Sequence, residues 1–406
     1  MANRSLTADI IAKAAVTILD NELVMAKKVF RGYEEDFGKK VNGYEVGETI
    51  SIRKPADYTV RDGAVASAQN VTEGKTTLTV DKRKGVDFKF TSAELTLDIK
   101  ELAERAIKPA MVQLANQIDT DLHALYKDVP NWVGTAGQTI NSYADFAKGP
   151  QRLDEYAVPQ DGRCAVLSPA DYWGLLGSQT ALYTDGLVKP AYRKANLGMI
   201  GNVDTYMTQN VATHTVGSDV TSVTVNQAIT TSTTTYDSVK DSNQQTITIA
   251  GGNLNAGDVL TIANVNAVNP VTKADLGFAK QFTVVSYASN SMVITPALIW
   301  TGAHQTVAVA SGTTDLNSAA ITAVGTASTD YRQNMVFHKN AFALVTVPLV
   351  SPPGAVDVGR QTYKGTSVRV IPVYDGINDE SMWRLDVLYG VKTVDPRLAV
   401  RLSGTS

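Results

Sequence analysis

A single cysteine, Cys164, stands in 406 residues, so neither an intrachain disulfide nor a cysteine-held zinc cluster can form. Flanked by the apolar run Ala165-Val166-Leu167, it reads as a buried core residue. Histidine is nearly as scarce: His123, His214, His304 and His338 lie far apart, and an isolated histidine is more often a satisfied structural residue than a catalyst or ligand. Charge is close to balance, at −3 with a pI of about 5.9, which leaves no global basic field to hold nucleic acid by counterion release. Any contact with DNA is then local or incidental. No stretch approaches the ~18 uninterrupted apolar residues of a membrane span. Met1 to Thr7 lack the basic segment, apolar run and cleavage site of a secretory signal. The expectation is a protein that stays in the reducing compartment where it is made and meets no membrane.

Catalytic signatures are missing too. The chain has no phosphate loop ending in Gly-Lys-Ser/Thr, no Gly-x-Gly-x-x-Gly after a strand, no His-Glu-x-x-His and no Gly-x-Ser-x-Gly elbow. Asp119 and Asp121 lie two apart on a predicted helix, so their side chains diverge. Asp375, Asp379 and Glu380 share a polar loop with Gly376 and Asn378, which is at most a weak cation site. Lys54, Lys75, Lys82 and Lys84 are placed where a lysine–asparagine crosslink could form, but nothing marks one as desolvated or names its partner. No enzyme, metal or cofactor is expected from this pattern.

What is there is structural. A length of 406 residues with 44% hydrophobic content supports two or three domains with cores. Thr7 caps a helix along which Ile10, Ile11, Ala14, Ala15, Ile18, Leu19 and Leu23 recur at helical spacing, giving a helical N-terminal arm over 1–40. Residues 41–90 read as an extended β-hairpin, with alternation at Thr49–Arg53 and Thr77–Asp81 around a charged connection. A ribbon that long is marginal alone in water. Nothing local offers it a surface, which points to a neighbouring subunit. Thr91 and Glu94 then form a capping-box pair opening a long helix to about Tyr126, within a segment 91–130, and Pro109 in its middle predicts a kink between Ile107 and Met111.

Short helical and strand signals alternate over 131–213, with Arg163–Leu167 as a buried strand and Ser168-Pro169 opening a helix. Charge thins out between 214 and 330, where Thr221–Val225, Gln245–Ile249, Val259–Ala263, Phe282–Tyr287 and Met292–Thr295 are β-type runs between turns. That spacing predicts a small barrel or sandwich. Over 331–406 the mixed pattern returns in Asn334–His338, Ser367–Ile371 and Arg384–Leu388. The Thr-rich block is thus an insertion whose ends meet in space. The fold class is α+β.

Several stretches, taken in order, carry a resemblance: Ile107–Asp119 on the helix, Val158–Arg163 leading to Val166–Pro169, Asn255–Asn266 in the insertion, and Phe337–Phe342 with Ser367–Val370 after it. The chain resembles the major capsid proteins of tailed phages with the Hong Kong 97-type fold, and more narrowly the coat-protein subfamily of phage P22 type, which carries an insertion domain. The resemblance implies a spine helix, peripheral and axial domains, and self-assembly as pentamers and hexamers into an icosahedral shell enclosing double-stranded DNA. It implies that the arm and loop reach over neighbours. Its partners would be further copies of itself, a scaffolding protein, a portal protein and, in some shells, a decoration protein. Assembly would take place in the host cytoplasm and the product would be the virion.

On that reading Arg53, Lys54, Asp57, Arg61, Asp62 and Lys75 make inter-subunit contacts, and Pro109 is the bend of the spine helix. A secreted β-rich adhesin or carbohydrate-binding protein is the alternative that the Thr-rich block raises. The missing signal and the long helix argue against it, and a tail hydrolase lacks a recognisable carboxylate pair.

Overall fold

The structure, a computed structural model, describes residues 8–37, 40–41, 44–45, 48–66, 68–91, 106–179, 197–352 and 358–405. It divides into two compact units, one of residues 1–50, 77–123 and 342–392, the other of residues 51–76, 124–341 and 393–406.

In the first unit the long strand Glu380–Thr393 is central. It pairs antiparallel with Thr366–Asp375 on one side and with Lys82–Thr91 along ten register positions; Phe342–Val347 and Gly359–Tyr363 complete the sheet. Leu385, Val387 and Tyr389 share one face of this strand and are fully buried there. The helix Ala8–Glu22 packs against Gly359–Tyr363, Thr366–Asp375 and the helix Lys108–His123. Its stripe of Ala8, Ile11, Ala12, Ala15, Val16 and Leu19 is buried there. Within one subunit this helix is therefore part of a core and does not project as an arm, because its apolar stripe finds a partner in its own sheet. Lys82–Thr91 departs from the sequence reading as well: the strands of the ribbon are Thr49–Arg53 and Lys75–Thr79, and the next strand leaves it for this sheet.

The helix Lys108–His123 follows two residues of π-type helix at 106–107, and Pro109 is its second residue. Pro109 thus stands where the π-type residues pass into the α-helix, the kind of place at which helices bend. The expected capping box, with Glu94, lies outside the described residues. Asp119 faces inward and accepts the backbone N–H groups of Val24 (2.7 Å) and Ala26 (3.0 Å), so it anchors the turn after the first helix. Burial raises its pKa against those hydrogen bonds. Asp121 instead accepts from Gln117 and Tyr389 and meets Lys82 at 3.4 Å. The two carboxylates diverge.

In the second unit a six-stranded mixed sheet runs in the order Trp132–Val133, Ala399–Leu402, Asn334–His338, Arg163–Leu167, Val203–Met207, Met199–Ile200. The helices Tyr143–Glu155 and Pro169–Gln179 lie beside it, and Cys164 is buried in its strand. Ser142 caps the first helix through the N–H of Asp145. The strands Val223–Val225, Gln245–Ala250, Val259–Val268, Asp275–Ala288, Ser291–Thr295 and Ala320–Ala323 close on themselves, since Val259–Val268 pairs with both Asp275–Ala288 and Ala320–Ala323. Val307–Val309 is appended to this barrel. Ile247, Ile249, Leu260, Phe282, Met292 and Ile294 fill it, all 0% exposed. Entry and exit of the barrel pair with each other, Thr213↔Arg332, His214↔Tyr331 and Thr215↔Asp330, so the ends of the block do meet.

His123 is fully buried and its pKa is depressed to about 4 by desolvation. The unfolded chain takes up a proton on this imidazole below about pH 6.5, the folded chain only near 4, so its contribution to stability is present above that window and fades as pH falls through it. Urea unfolding at pH 7 and pH 4 should show about 3 kcal/mol of acid destabilisation that disappears in His123→Gln; an identical pH dependence in the variant would contradict the assignment.

Candidate functional site

The charged hairpin residues are the natural starting point. Lys54 N–H donates to the carbonyl of Gly74 (2.8 Å), closing the ribbon's end, and Arg53 meets Glu73 at 3.5 Å. Lys54 Nζ then donates to the carbonyls of Lys240 (3.2 Å) and Asp241 (2.7 Å), just past the short helix Tyr236–Val239 of the barrel. A cation there meets carbonyls that the helix leaves without partners. Asp241 accepts the backbone N–H of Lys75 at 2.9 Å. Gly74 is dictated by this docking, because a side chain at that position would run into the carbonyl of Lys240.

Asp57 lies 3.6 Å from both Lys273 Nζ and His304 Nδ1. The His304 ring stacks on Tyr236, centroids 3.5 Å apart and nearly parallel at 6°. Burial lowers the pKa of His304 and of Lys273, in each case against the charge of Asp57. Nearby, Arg397 holds Asp395 in a two-pronged pair (3.0 and 2.8 Å), and its charge overcomes burial to keep that carboxyl low. The surface that the ribbon needs is thus supplied at its base by the barrel of the same chain. Sequence reasoning placed it on a neighbour because the partner residues lie some 186 positions away.

Beyond Asp57 the loop changes character. Tyr58, Val60, Val65 and Val71 are exposed, Val60 at 97% and Val65 at 85%. The tip holds its own shape: Gln69 accepts from the N–H of Thr59 (2.9 Å) and donates to its carbonyl (2.6 Å), while Arg61 donates to the carbonyls of Gly63 and Val65. Asp62 is exposed. The six hairpin residues therefore separate. Lys54, Asp57 and Lys75 anchor the base, Arg53 pairs along the ribbon, and Arg61 and Asp62 ride on the projecting tip.

A second cluster, missed in the sequence, ties barrel to sheet. Arg401 is fully buried and donates to the carbonyls of Gly257 (2.8 Å) and Lys127 (3.4 Å), to Thr283 Oγ1 (3.3 Å) and to Gln333 Oε1 (3.4 Å). Its guanidinium sits 5.1 Å from the Tyr126 ring and 5.8 Å from that of Trp132. Burial pushes its pKa down to about 9, which still leaves it charged at neutral pH. Beside it Tyr126 Oη meets His214 Nδ1 at 3.1 Å and His214 Nε2 meets Asp258 Oδ1 at 2.8 Å. Asp258 also accepts the N–H groups of Gly217 and Asn255. The Tyr–His–Asp order has the look of a proton relay, yet all its members serve the neck of the insertion. Only the Asn255-Ala-Gly-Asp258 turn hinted at this cluster in the sequence.

The remaining candidates are spent on local structure. His338 faces Asp161 at 4.0 Å. Asp375 accepts from Ile377 and Asn378, Asp379 from Tyr374, and Glu380 pairs with Lys89. Among the described residues no three histidine, cysteine or acidic side chains gather as a metal site, and no helix is long and apolar enough to cross a membrane.

In the second unit, then, a loop is clamped at its base with an exposed tip, and a barrel is pinned at its neck. The family described as P22 coat protein, gene protein 5, matches residues 1–404. The chain belongs to that family. A major capsid protein of Acyrthosiphon pisum secondary endosymbiont phage 1 is 24% identical over 95% of this chain and 94% of that one. Solved structures of similar fold include one described as Mycobacterium phage Che8 (16% identity, 93% and 90% coverage, TM-score 0.49) and the mature capsid of bacteriophage PhiM1 (12% identity, 89% and 82% coverage, TM-score 0.40). The chain is accordingly a structural component of the virion, a major capsid protein that assembles with copies of itself.

The neck cluster makes a stability prediction. Arg401→Met leaves buried carbonyls without donors and should lower unfolding stability by about 3 kcal/mol. Thr215→Val, exposed in the paired strands at the barrel's entry and exit, should stay within about 0.5 kcal/mol. Chemical denaturation of both variants measures this, and equal effects would contradict the ranking.

Proposed function

We propose that copies of this chain form pentamers and hexamers of a Hong Kong 97-type shell around double-stranded phage DNA, with the projecting loop making the contacts between them. The observation that carries the reading is the division of the loop. Its base is fixed to the chain's own barrel through Lys54, Asp57 and Lys75, while its tip exposes Val60, Val65, Arg61 and Asp62 to solvent. A preformed projecting segment loses less conformational entropy on docking than a loose one. Shell growth requires many modest contacts, of the order of 800 Å² per partner, with charge setting the register. The residues that we assign to inter-subunit contact are Arg53, Arg61 and Asp62, with Lys54, Asp57 and Lys75 holding them in place.

The role is mechanical, with no reaction for the chain to perform. A scaffolding protein and a portal are the further partners of this reading, a decoration protein belongs to some shells of the kind, and DNA is enclosed without sequence-specific contact. Assembly takes place in the host cytoplasm. Pro109, at the start of the helix Lys108–His123, is the bend that lets one sequence occupy non-equivalent positions and change shape as the shell expands. The peripheral domain corresponds to the first unit, the axial domain to the six-stranded sheet, and the insertion to 214–330.

Negative-stain microscopy of the purified chain with a crowding agent tests the loop. Arg61→Glu should abolish closed shells while leaving a folded subunit by circular dichroism; normal shells from this variant would refute the loop's role. Pro109→Ala should slow or block expansion followed by light scattering, and an unchanged transition would remove proline from the account.

A further inference from the structure

Asp62, Asp161, Asp185 and Asp375 each stand directly before a glycine, a pair at which a peptide chain can rearrange by itself. The glycine nitrogen attacks the side-chain carbonyl carbon of the aspartate. A C–N bond forms, the carboxyl C–OH bond breaks, and the hydroxyl leaves as water with the amide proton. Water then opens the five-membered succinimide at either carbonyl, returning aspartate or giving isoaspartate, in which the chain runs on through the side-chain carboxyl. One water leaves and one returns, so the step needs no oxidant, cofactor or enzyme. Glycine favours it because no Cβ crowds the attacking nitrogen.

Three conditions decide which site reacts: solvent access, backbone outside regular structure, and a carboxyl uncommitted to cations or N–H groups, since bonds to the ionised form oppose the protonated form that loses water. Asp185 lies outside the described residues; the other three differ. Asp375 is committed, accepting the N–H of Ile377 (2.9 Å) and Asn378 Nδ2 (2.7 Å), and these bonds hold its pKa below the ordinary aspartate value. Asp161 stands 3.5 Å from Lys339 Nζ. The carbonyl of Gly162 accepts the N–H of Lys339 (3.1 Å), and a Cβ on Gly162 would lie 3.0 Å from Lys339 Cδ, so the lysine crowds that turn. Asp62 is exposed in neither helix nor strand, and no described residue pairs with its carboxylate. Gly63 sits at φ +86° with nothing within 4 Å of where its Cβ would stand. Arg61 donates to the carbonyls of Gly63 and Val65, which fixes those oxygens and leaves the Gly63 nitrogen and the Asp62 carboxyl to react.

We infer that Asp62-Gly63 is a site of spontaneous isoaspartate formation in the free subunit, and that the product disarms the loop tip. An isoaspartyl link inserts one more carbon into the main chain between Arg61 and Gly63 and leaves an α-carboxylate as the side group. Arg61 then loses its register with the carbonyls of Gly63 and Val65 that shape the tip. The modification needs no partner; only its consequence rests on the proposed loop-mediated assembly. Unassembled subunits thus lose competence with time.

Ageing free subunits in warm neutral buffer tests both parts. Digestion with a protease that cuts before aspartate but not before isoaspartate, read by mass spectrometry, counts the product at each position. Its unchanged mass separates it from deamidation at Asn42-Gly43. Isoaspartate at residue 62 should exceed that at 161 or 375 about tenfold, and Gly63→Ala, which sets a methyl group beside the attacking nitrogen, should lower it by about the same factor. Equal yields at the three positions, or none at residue 62, overturn the inference. The shell-assembled fraction of aged subunits, each compared with its own fresh sample, should fall in step with isoaspartate at residue 62, and more slowly in Gly63→Ala. Rearranged subunits that assemble like fresh ones overturn the disarming of the tip. If Arg61→Glu assembles normally, the loop's role falls, while the isoaspartate count still decides the modification.

Discussion

The second unit turns on one buried charge. Among the described residues Arg401 pairs with no carboxylate; its Nη1 and Nη2 are held by carbonyls from the helix end at Lys127 and from the barrel turn at Gly257, with Thr283 and Gln333 alongside, while its Nε is buried without a hydrogen-bond partner. A buried guanidinium depends on the partners that its other donors find, so those segments must arrive together. His214, Asp258 and Tyr126 close the same cluster. The barrel is therefore tied to the six-stranded sheet at its neck and not merely threaded to it.

The loop shows the same economy in a different setting. Its base uses polar groups within the chain, a cation on helix-end carbonyls and a carboxylate between lysine and histidine. Its tip presents valines and one acid without cover. Internal contacts fix the base of the loop and leave its tip exposed.

Much of this architecture is legible in the sequence, and the illegible part has a common cause. Period-two alternation located Thr49–Arg53 and Gln245–Ala250, and the paired ends of the insertion followed from the return of the mixed pattern. Val307–Val309 and Ala320–Ala323 were too short to signal. Lys82–Thr91 was read as ribbon because its alternation is charged on one face; its partner strand lies nearly 300 residues on, with Arg83 and Asp386 separated by 303. The stripe of Ala12, Ala15 and Leu19 announced an amphipathic helix but not the sheet that buries it. Arg401, in Ala-Val-Arg-Leu, has no local mark at all. Charge burial is decided by carbonyls brought from 144 and 274 residues away, and no pattern within a window records that.

Hydrogen exchange of free subunits against assembled shells reads the division between internal clamps and external surfaces most directly. The account predicts that neck amides in Thr213–Thr215 and Asp330–Arg332 are protected equally in both states, while residues 58–66 gain protection only in shells. A neck that exchanges freely in the subunit, or a loop tip as open in the shell as in solution, would contradict it.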